Sequence, residues 1–191
     1  MAAPSRASRP YAGHHAPAVG RPRPLERAVT VLLVSGAPAS GKTTLATALA
    51  ARLGWPQVHR DELYAGITAA GDVDRDEVVP LGVAAFWSVT AAYARAGSSV
   101  IAEATLYRGQ SEAEVRDVLG GPWPIRNLHC VTPTWHGRFV ARGHEARLND
   151  RALANAPATV PPLDLGCPLL EVDTTDGYDP GVDDLVRWAT V

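Results

Sequence analysis

The chain has 191 residues, of which 46% are hydrophobic and 20% are charged, and its formal net charge at pH 7 is −2. This balance is typical of one soluble globular domain, and no apolar run approaches the roughly 20 residues that span a bilayer, so we expect no membrane segment. Two cysteines are too few for a disulfide framework, which favours a reducing cytoplasm.

Residues 1–27 are predicted to be a disordered leader rich in arginine and proline. The segment shows no apolar periodicity, and its Arg-Pro-Arg-Pro run at 21–24 can propagate neither a helix nor a strand ladder. The first 28 residues carry five arginines and one acid, which leaves 13 basic and 19 acidic side chains for the rest. We therefore expect one acidic folded domain, residues 28–191, and a domain of this sign has no general attraction for nucleic acid.

Strand and helix patterns alternate along this domain. The nearly continuous apolar and β-branched run from Val29 to Val34 predicts a central strand that is covered on both faces. Leucines at helical spacing predict the next helix, from about Lys42 to a stop at Gly54. Further strands are predicted at 57–58, 98–102, 125–131 and 169–172, and further helices at 77–96, 111–119, 135–147 and from 179 onward. This alternation predicts a three-layer αβα fold with a parallel sheet.

Two of the predicted helices begin with capping signals. Ser111 and Glu114 have the spacing of a capping box, in which a hydroxyl and a carboxylate bind backbone N–H groups of the first turn. Asp179 is predicted to cap the last helix, with Pro180 in its first turn. Both helices should therefore begin at these residues.

The loop between the first strand and the first helix fits the pattern G-x-x-x-x-G-K-[ST], from Gly36 to Thr43. The backbone N–H groups of such a loop and of the helix N-terminus cradle phosphates. Lys42, the only lysine of the chain, is expected on the β- and γ-phosphates, and the Thr43 hydroxyl is expected on Mg²⁺. The predicted nucleotide-binding residues are Gly36, Ala37, Pro38, Ala39, Ser40, Gly41, Lys42, Thr43 and Thr44.

Two acidic residues follow strands, and parallel strands end at the edge of the sheet where open α/β folds bind ligands. Asp61 lies just past the second strand, where it could accept the proton of an attacking hydroxyl or simply cap the following helix. Glu103 closes the third strand, where it could hold the water shell of Mg²⁺ or act as the base. Both are predicted site residues, and the choice between metal and base stays open for Glu103.

Arginines recur at intervals of four near the end of the domain. Arg138 and Arg142 share one helical face, and Arg147 and Arg151 repeat the interval. Such side chains can neutralise charge on a transferred phosphoryl group, although an exposed basic face is the simpler interpretation. The proline-rich segment that follows suggests the margin of a lid, which we place at about 134–160, with Arg138 or Arg142 as the catalytic arginine.

Taken in order, these motifs resemble ATP-dependent P-loop kinases of the group that includes chloramphenicol phosphotransferase, zeta-toxin-like kinases and the polynucleotide 5′-kinase domain. The motifs that carry the resemblance are Gly36–Thr43, Val58–Leu63, Val100–Thr105, Arg138 with Arg142, and Val172–Thr175. The resemblance implies a five-stranded parallel sheet of order 2-3-1-4-5, ATP as donor, Mg²⁺, and transfer of the γ-phosphoryl group to a hydroxyl.

The resemblance also implies roles for individual residues. It makes Asp61 the acid that activates the substrate, Arg138 and Arg142 the lid arginines, and the segment after Asp173 a neighbour of the adenine. Glu103 departs from the aspartate usual at its position.

The sequence therefore predicts a cytoplasmic kinase of a small hydroxyl compound that requires ATP and Mg²⁺. A 5′-hydroxyl polynucleotide kinase is an alternative, although it would need a local basic groove on an acidic domain. A non-catalytic ATP-binding regulatory module is a second alternative. A GTPase switch is disfavoured because its guanine-reading Asn-Lys-x-Asp needs a second lysine, which the chain lacks.

Overall fold

The computed structural model describes residues 29–69, 75–121, 123–142 and 159–191. The predicted leader, residues 1–27, lies outside these ranges. So does most of the predicted lid, residues 143–158, with Arg147 and Arg151.

The described residues form a five-stranded sheet in which every neighbouring pair of strands is parallel. Its strands are β1 (Val31–Gly36), β2 (Gln57–His59), β3 (Val100–Glu103), β4 (Ile125–Val131) and β5 (Leu169–Asp173). Their order is β2-β3-β1-β4-β5, which confirms the predicted order. With β1 central, the segments that follow β1, β2 and β3 all emerge at one edge of the sheet.

Helices cover both faces of the sheet. They are α1 (Lys42–Leu53), α2 (Arg60–Ala69), α3 (Arg75–Arg95), α4 (Ser111–Leu119), α5 (Trp135–Ala141) and α6 (Val182–Thr190). Successive residues of β1 point to opposite faces, so Val31 and Leu33 pack with α3 and α4, whereas Leu32 and Val34 pack with α1 and α6. This arrangement confirms the predicted three-layer αβα fold.

The first strand is displaced from its predicted position. It begins at Val31 and continues through Ser35 and Gly36, which pair with His129 and Cys130 of β4. The polar Ser35 is buried there, so the apolar run alone did not mark the end of the strand. The strand therefore leads directly into the loop that begins at Gly36.

The capping box predicted for α4 is wrong. The N-cap residue is Gln110, without a side-chain capping bond, and the Ser111 hydroxyl accepts a hydrogen bond from the Tyr107 N–H at 3.1 Å. Glu114 instead accepts a hydrogen bond from the Trp87 indole at 3.0 Å. Both side chains bind groups that lie outside the helix, and a spacing rule does not detect such groups.

The predicted start of the last helix is also wrong. Helix α6 begins at Val182 with Gly181 as N-cap, so Asp179 and Pro180 precede it. The backbone of Asp179 pairs with that of Asp173, with N–O distances of 2.8 and 3.0 Å. This bridge extends the end of β5 and keeps Asp179 out of the helix.

The length and composition of helix α3 test the expectation that the chain has no membrane segment. Within it, Glu77–Arg95 is long and apolar enough for a candidate span, with a mean hydropathy of 1.3 and 39% of its most apolar window buried. One face of this helix packs in the core beneath the sheet, as in the core helices of soluble proteins that meet the same criteria. Its buried side chains include Val78, Phe86, Trp87, Ala91 and Ala94.

Candidate active site

The loop that leaves β1 has the backbone conformation of a phosphate cradle. Gly36 has a φ of 140°, and a Cβ atom there would lie 2.5 Å from the Cys130 carbonyl oxygen, so the position requires glycine. Ala39 and Gly41 also adopt positive φ angles, 57° and 86°. The loop thereby turns sharply into α1, whose free N–H groups begin at Lys42.

Lys42 lies beneath this loop with only 7% of its surface exposed. Its Nζ donates a hydrogen bond to the Ala37 carbonyl at 3.0 Å. Burial lowers the pKa of the ammonium, and the negative charges of Glu103 and Asp61 oppose that shift. The ammonium is therefore held inside the loop by a neutral carbonyl that a phosphate can replace.

Glu103 is the centre of the candidate site and is 3% exposed. Its Oε2 accepts hydrogen bonds from Thr43 Oγ1 at 3.2 Å and from His59 Nδ1 at 2.9 Å. Its Oε1 lies 3.9 Å from Lys42 Nζ. Burial alone would raise the pKa of this carboxyl, but the His59 hydrogen bond and the charge of Lys42 together hold the pKa below its ordinary value. Glu103 is thus a buried carboxylate with three donors around it.

Thr43 and Glu103 fit a magnesium ion that is bound together with a nucleotide. A hydroxyl and a carboxylate are the hard oxygen ligands that Mg²⁺ prefers, and here they already contact each other. The described residues contain no group of three His, Cys, Asp or Glu side chains that could hold a metal alone. Phosphate oxygens and water would therefore complete the coordination.

Asp61 lies in the first turn of α2 and is exposed. It is near enough to Lys42 for its charge to raise the pKa of that ammonium against the effect of burial. An acid in the first turn also suits the helix dipole, so the structural and the chemical interpretations of Asp61 are compatible. Unlike Glu103, Asp61 faces solvent, where an acceptor hydroxyl can reach it.

The two arginines that were predicted to belong to a lid, Arg138 and Arg142, occupy different surroundings. Arg138 donates hydrogen bonds to the carbonyls of Thr174 at 3.0 Å and Thr175 at 2.6 Å, in the loop that follows β5. The Thr174 hydroxyl in turn donates to the Ser40 carbonyl of the P-loop at 2.6 Å. Arg142 is the C-cap residue of α5 and is exposed. Arg138 therefore connects α5 to the P-loop through Thr174.

Both flanks of the segment 143–158 are anchored close to the P-loop. Val160, Trp135 and Ala37 pack together with the partly buried Tyr107. His129 Nε2 lies 2.8 Å from the Val160 carbonyl, which can only accept, so Nε2 carries the proton. His129 Nδ1 lies 2.9 Å from the Ser35 hydroxyl oxygen, which is also 3.1 Å from Asn127 Oδ1.

Sequence reasoning missed two side chains that the structure places at the site, His59 and Thr174. His59 ends β2, and the strand register puts it directly beside Glu103. Once the order of the sheet is known, comparing the last residues of adjacent strands would have found it. Thr174 follows β5 in the same way, but only the fold shows that it reaches Ser40.

The sequence matches the AAA domain family AAA_33 over residues 31–163, a range that includes the P-loop, Asp61, Glu103, Arg138 and Arg142. No curated protein matches the sequence at a significant level.

Several solved structures share the fold. A provisionally named kinase from Chloroflexus aurantiacus is 28% identical and superposes with a TM-score of 0.68 over 85% of this chain and 94% of that chain. A sugar kinase from a Janibacter species is 21% identical, with a TM-score of 0.58 over 85% and 92%. An APS kinase from Mycobacterium tuberculosis, in complex with AMPPNP and APS, is 16% identical, with a TM-score of 0.53 over 85% and 95%.

The family match spans well over half of the chain, and the shared fold agrees with the motifs found in the sequence. The chain belongs to the AAA domain family and is a P-loop kinase-like protein.

Proposed function

We propose that the protein is an ATP-dependent kinase that transfers the γ-phosphoryl group to a hydroxyl of a small molecule in the cytoplasm. The observation that carries this proposal is the cluster of Lys42, Thr43 and Glu103 beneath the P-loop, with the exposed Asp61 close enough to act on the charge of Lys42. A kinase needs a base for the acceptor hydroxyl, and the solvent-facing carboxylate of Asp61 can serve as one. The sugar kinase and the APS kinase support the small-molecule class because they use the same fold.

The proposed roles follow from where each side chain lies. Lys42 exchanges the Ala37 carbonyl for the β- and γ-phosphate oxygens and stabilises the charge that develops there. Thr43 and Glu103 would hold Mg²⁺, which supplies further neutralisation of phosphate charge when it is bound. Asp61 accepts the proton of the acceptor hydroxyl as that oxygen attacks the γ-phosphorus and the bond to the β-phosphate oxygen breaks.

The lid arginines have separate proposed tasks. Arg138 shapes the loop at Thr174 and Thr175, which supports the nucleotide from the side of the P-loop. Arg142 is exposed and is the better candidate to reach the transferred phosphoryl group. This division sharpens the initial expectation, which treated the two arginines alike.

The test combines an acceptor screen with a matched pair of variants. ATP consumption is measured against sugars, nucleosides, aminoglycosides, other antibiotics and a 5′-hydroxyl oligonucleotide. With the acceptor found, Asp61→Asn should keep the affinity for ATP and lose about 10² to 10⁴-fold in kcat, because a positioned base contributes that much.

Glu62→Gln is the control, because it removes the neighbouring exposed acid of the same helical turn. We expect Glu62→Gln to keep the wild-type rate. A wild-type rate for Asp61→Asn would refute its role as the base. Turnover of the oligonucleotide alone would favour the polynucleotide kinase, and ATP binding without any acceptor-stimulated turnover would favour the regulatory module.

A further inference from the structure

His59 is a buried histidine at the end of β2 whose ring faces the candidate site. It is 6% exposed and is the register partner of Glu103 on the adjacent strand β3. Its Nδ1 lies 2.9 Å from Glu103 Oε2, which is the shortest contact recorded for that carboxylate. An ionised carboxylate can only accept, so Nδ1 carries the hydrogen of this bond.

The two oxygens of Glu103 have different partners. Oε2 receives the hydrogen bonds from His59 and Thr43, whereas Oε1 is turned toward Lys42 at the longer distance of 3.9 Å. Hydrogen bonding from His59 thus fixes one oxygen and leaves the other directed at the phosphate-binding lysine. The carboxylate has a defined orientation before any nucleotide arrives.

A glutamate at this position needs such support more than an aspartate would. Its side chain has one additional rotatable bond, so its carboxylate can adopt more positions relative to Thr43 and Lys42. A ring on a neighbouring strand removes this freedom because the sheet fixes the distance between the two residues.

We propose that His59 is a positioning residue that orients Glu103 for the magnesium–nucleotide complex. The inference rests on the proposed function only in so far as the site binds a nucleotide with Mg²⁺. His59 itself contacts neither the nucleotide nor the acceptor; it acts through the Oε2 atom of Glu103. Groups that orient a metal ligand in this way affect metal affinity without binding the metal.

The experiment measures nucleotide affinity, so it does not depend on knowing the acceptor. The dissociation constant of AMPPNP is determined by isothermal titration calorimetry, with Mg²⁺ and in EDTA, for the full-length wild type and for variants of His59. We expect Mg²⁺ to increase the affinity of the wild type for AMPPNP. In His59→Leu this Mg²⁺-dependent increase in affinity should be smaller by about tenfold or more, whereas the affinity in EDTA should change much less.

Three further variants separate orientation from general packing. In His59→Asn the amide nitrogen takes the place of Nδ1, so the gain from Mg²⁺ should be preserved. In His59→Gln the amide nitrogen lies where Nε2 was, so the gain should be lost as in His59→Leu. Gln57→Leu, two residues earlier on the same strand, is the matched control and should behave as the wild type.

Each outcome decides the proposal. It is wrong if His59→Leu keeps the full gain from Mg²⁺, or if this variant loses affinity equally with Mg²⁺ and in EDTA, which would indicate a purely structural role. If His59→Leu fails to fold, the comparison of His59→Asn with His59→Gln tests the proposal instead. Equal increases in AMPPNP affinity on addition of Mg²⁺ in these two variants would overturn the inference. Failure of the wild type to bind AMPPNP with Mg²⁺ would instead overturn the proposed function.

Discussion

Lys42 and Glu103, for which we propose roles in binding phosphate and Mg²⁺, are 7% and 3% exposed, whereas Asp61 and Arg142, for which we propose roles toward the acceptor hydroxyl and the transferred phosphoryl group, are open to solvent. The buried pair sits where strands and a helix fix it, and each member has recorded partners within the protein. The exposed pair lies at a helix start and at a helix end.

The difference in burial indicates that the part of the candidate site around Lys42 and Glu103 is preorganised before a ligand binds. Phosphate and Mg²⁺ present the same chemistry to every P-loop protein, so rigid elements can be built to receive them. The acceptor varies among kinases of this fold, and groups on element ends can be exchanged without disturbing the core.

The largest effect is expected for Lys42→Ala. If phosphate binding depends on this ammonium, its loss should weaken AMPPNP binding and lower kcat/KM by about 10²-fold or more. Arg52→Ala removes an exposed cation of the same helix, whose partner is Asp183, and serves as control. Wild-type AMPPNP affinity in Lys42→Ala would show that nucleotide binding does not depend on this buried ammonium.

An intermediate effect should separate the two lid arginines. Arg138→Ala leaves two carbonyls without their charged donor, so we expect a loss of about 2 kcal/mol in the free energy of unfolding and a raised KM for ATP. Arg142→Ala should lower kcat with an unchanged unfolding midpoint. Chemical denaturation and steady-state kinetics on both variants test this, and equal losses of stability would show that Arg142 is as firmly bound as Arg138.

The smallest effect concerns the anchor at Val160. Burial lowers the pKa of His129, so the unfolded chain binds a proton at a higher pH than the folded protein does. The contribution of His129 to stability should therefore be fully present above pH 6.5 and should fall as the pH drops below 6.5 toward the lowered folded-state pKa, by at most about 1.4 kcal/mol per pH unit.

Denaturation curves between pH 5 and pH 8 measure this dependence. His129→Gln can retain a donor for the Val160 carbonyl but does not titrate, so its curve should be flatter than that of the wild type. His136→Gln, at an exposed position of α5, is the matched control. A wild-type slope in His129→Gln would mean that the acid sensitivity has another origin.

Features that depend on residues close together in the sequence could be predicted from it. The loop from Gly36 to Thr43 could be predicted because the conformation and the phosphate chemistry reside in the same consecutive residues. Glu103 could be placed at the edge of the sheet because it closes an apolar run. The order of the strands came from the resemblance to P-loop kinases, since alternating patterns do not determine which strands are neighbours.

Features that depend on distant partners could not be predicted. The Glu114 carboxylate had the correct spacing for a capping box, yet it accepts a hydrogen bond from the Trp87 indole, 27 positions earlier. His59 meets Glu103 across 44 positions of sequence, and Thr174 meets Ser40 across 134. The folded sheet brings such pairs together, and the sequence offered a signal only for His59, as the last residue of a strand expected beside the strand that ends at Glu103.

The packing of Cys130 against Gly36 has a consequence for the chemical durability of the site. Burial raises the pKa of the Cys130 thiol to about 12, so the thiol stays protonated at physiological pH. Oxidants and alkylating reagents attack thiolates, so the wall behind the phosphate loop resists them. Burial also raises the pKa of Cys167, the other cysteine, but this residue is only partly buried and is the more accessible thiol. Labelling of Cys167 therefore offers a way to attach a probe while the nucleotide site stays chemically untouched.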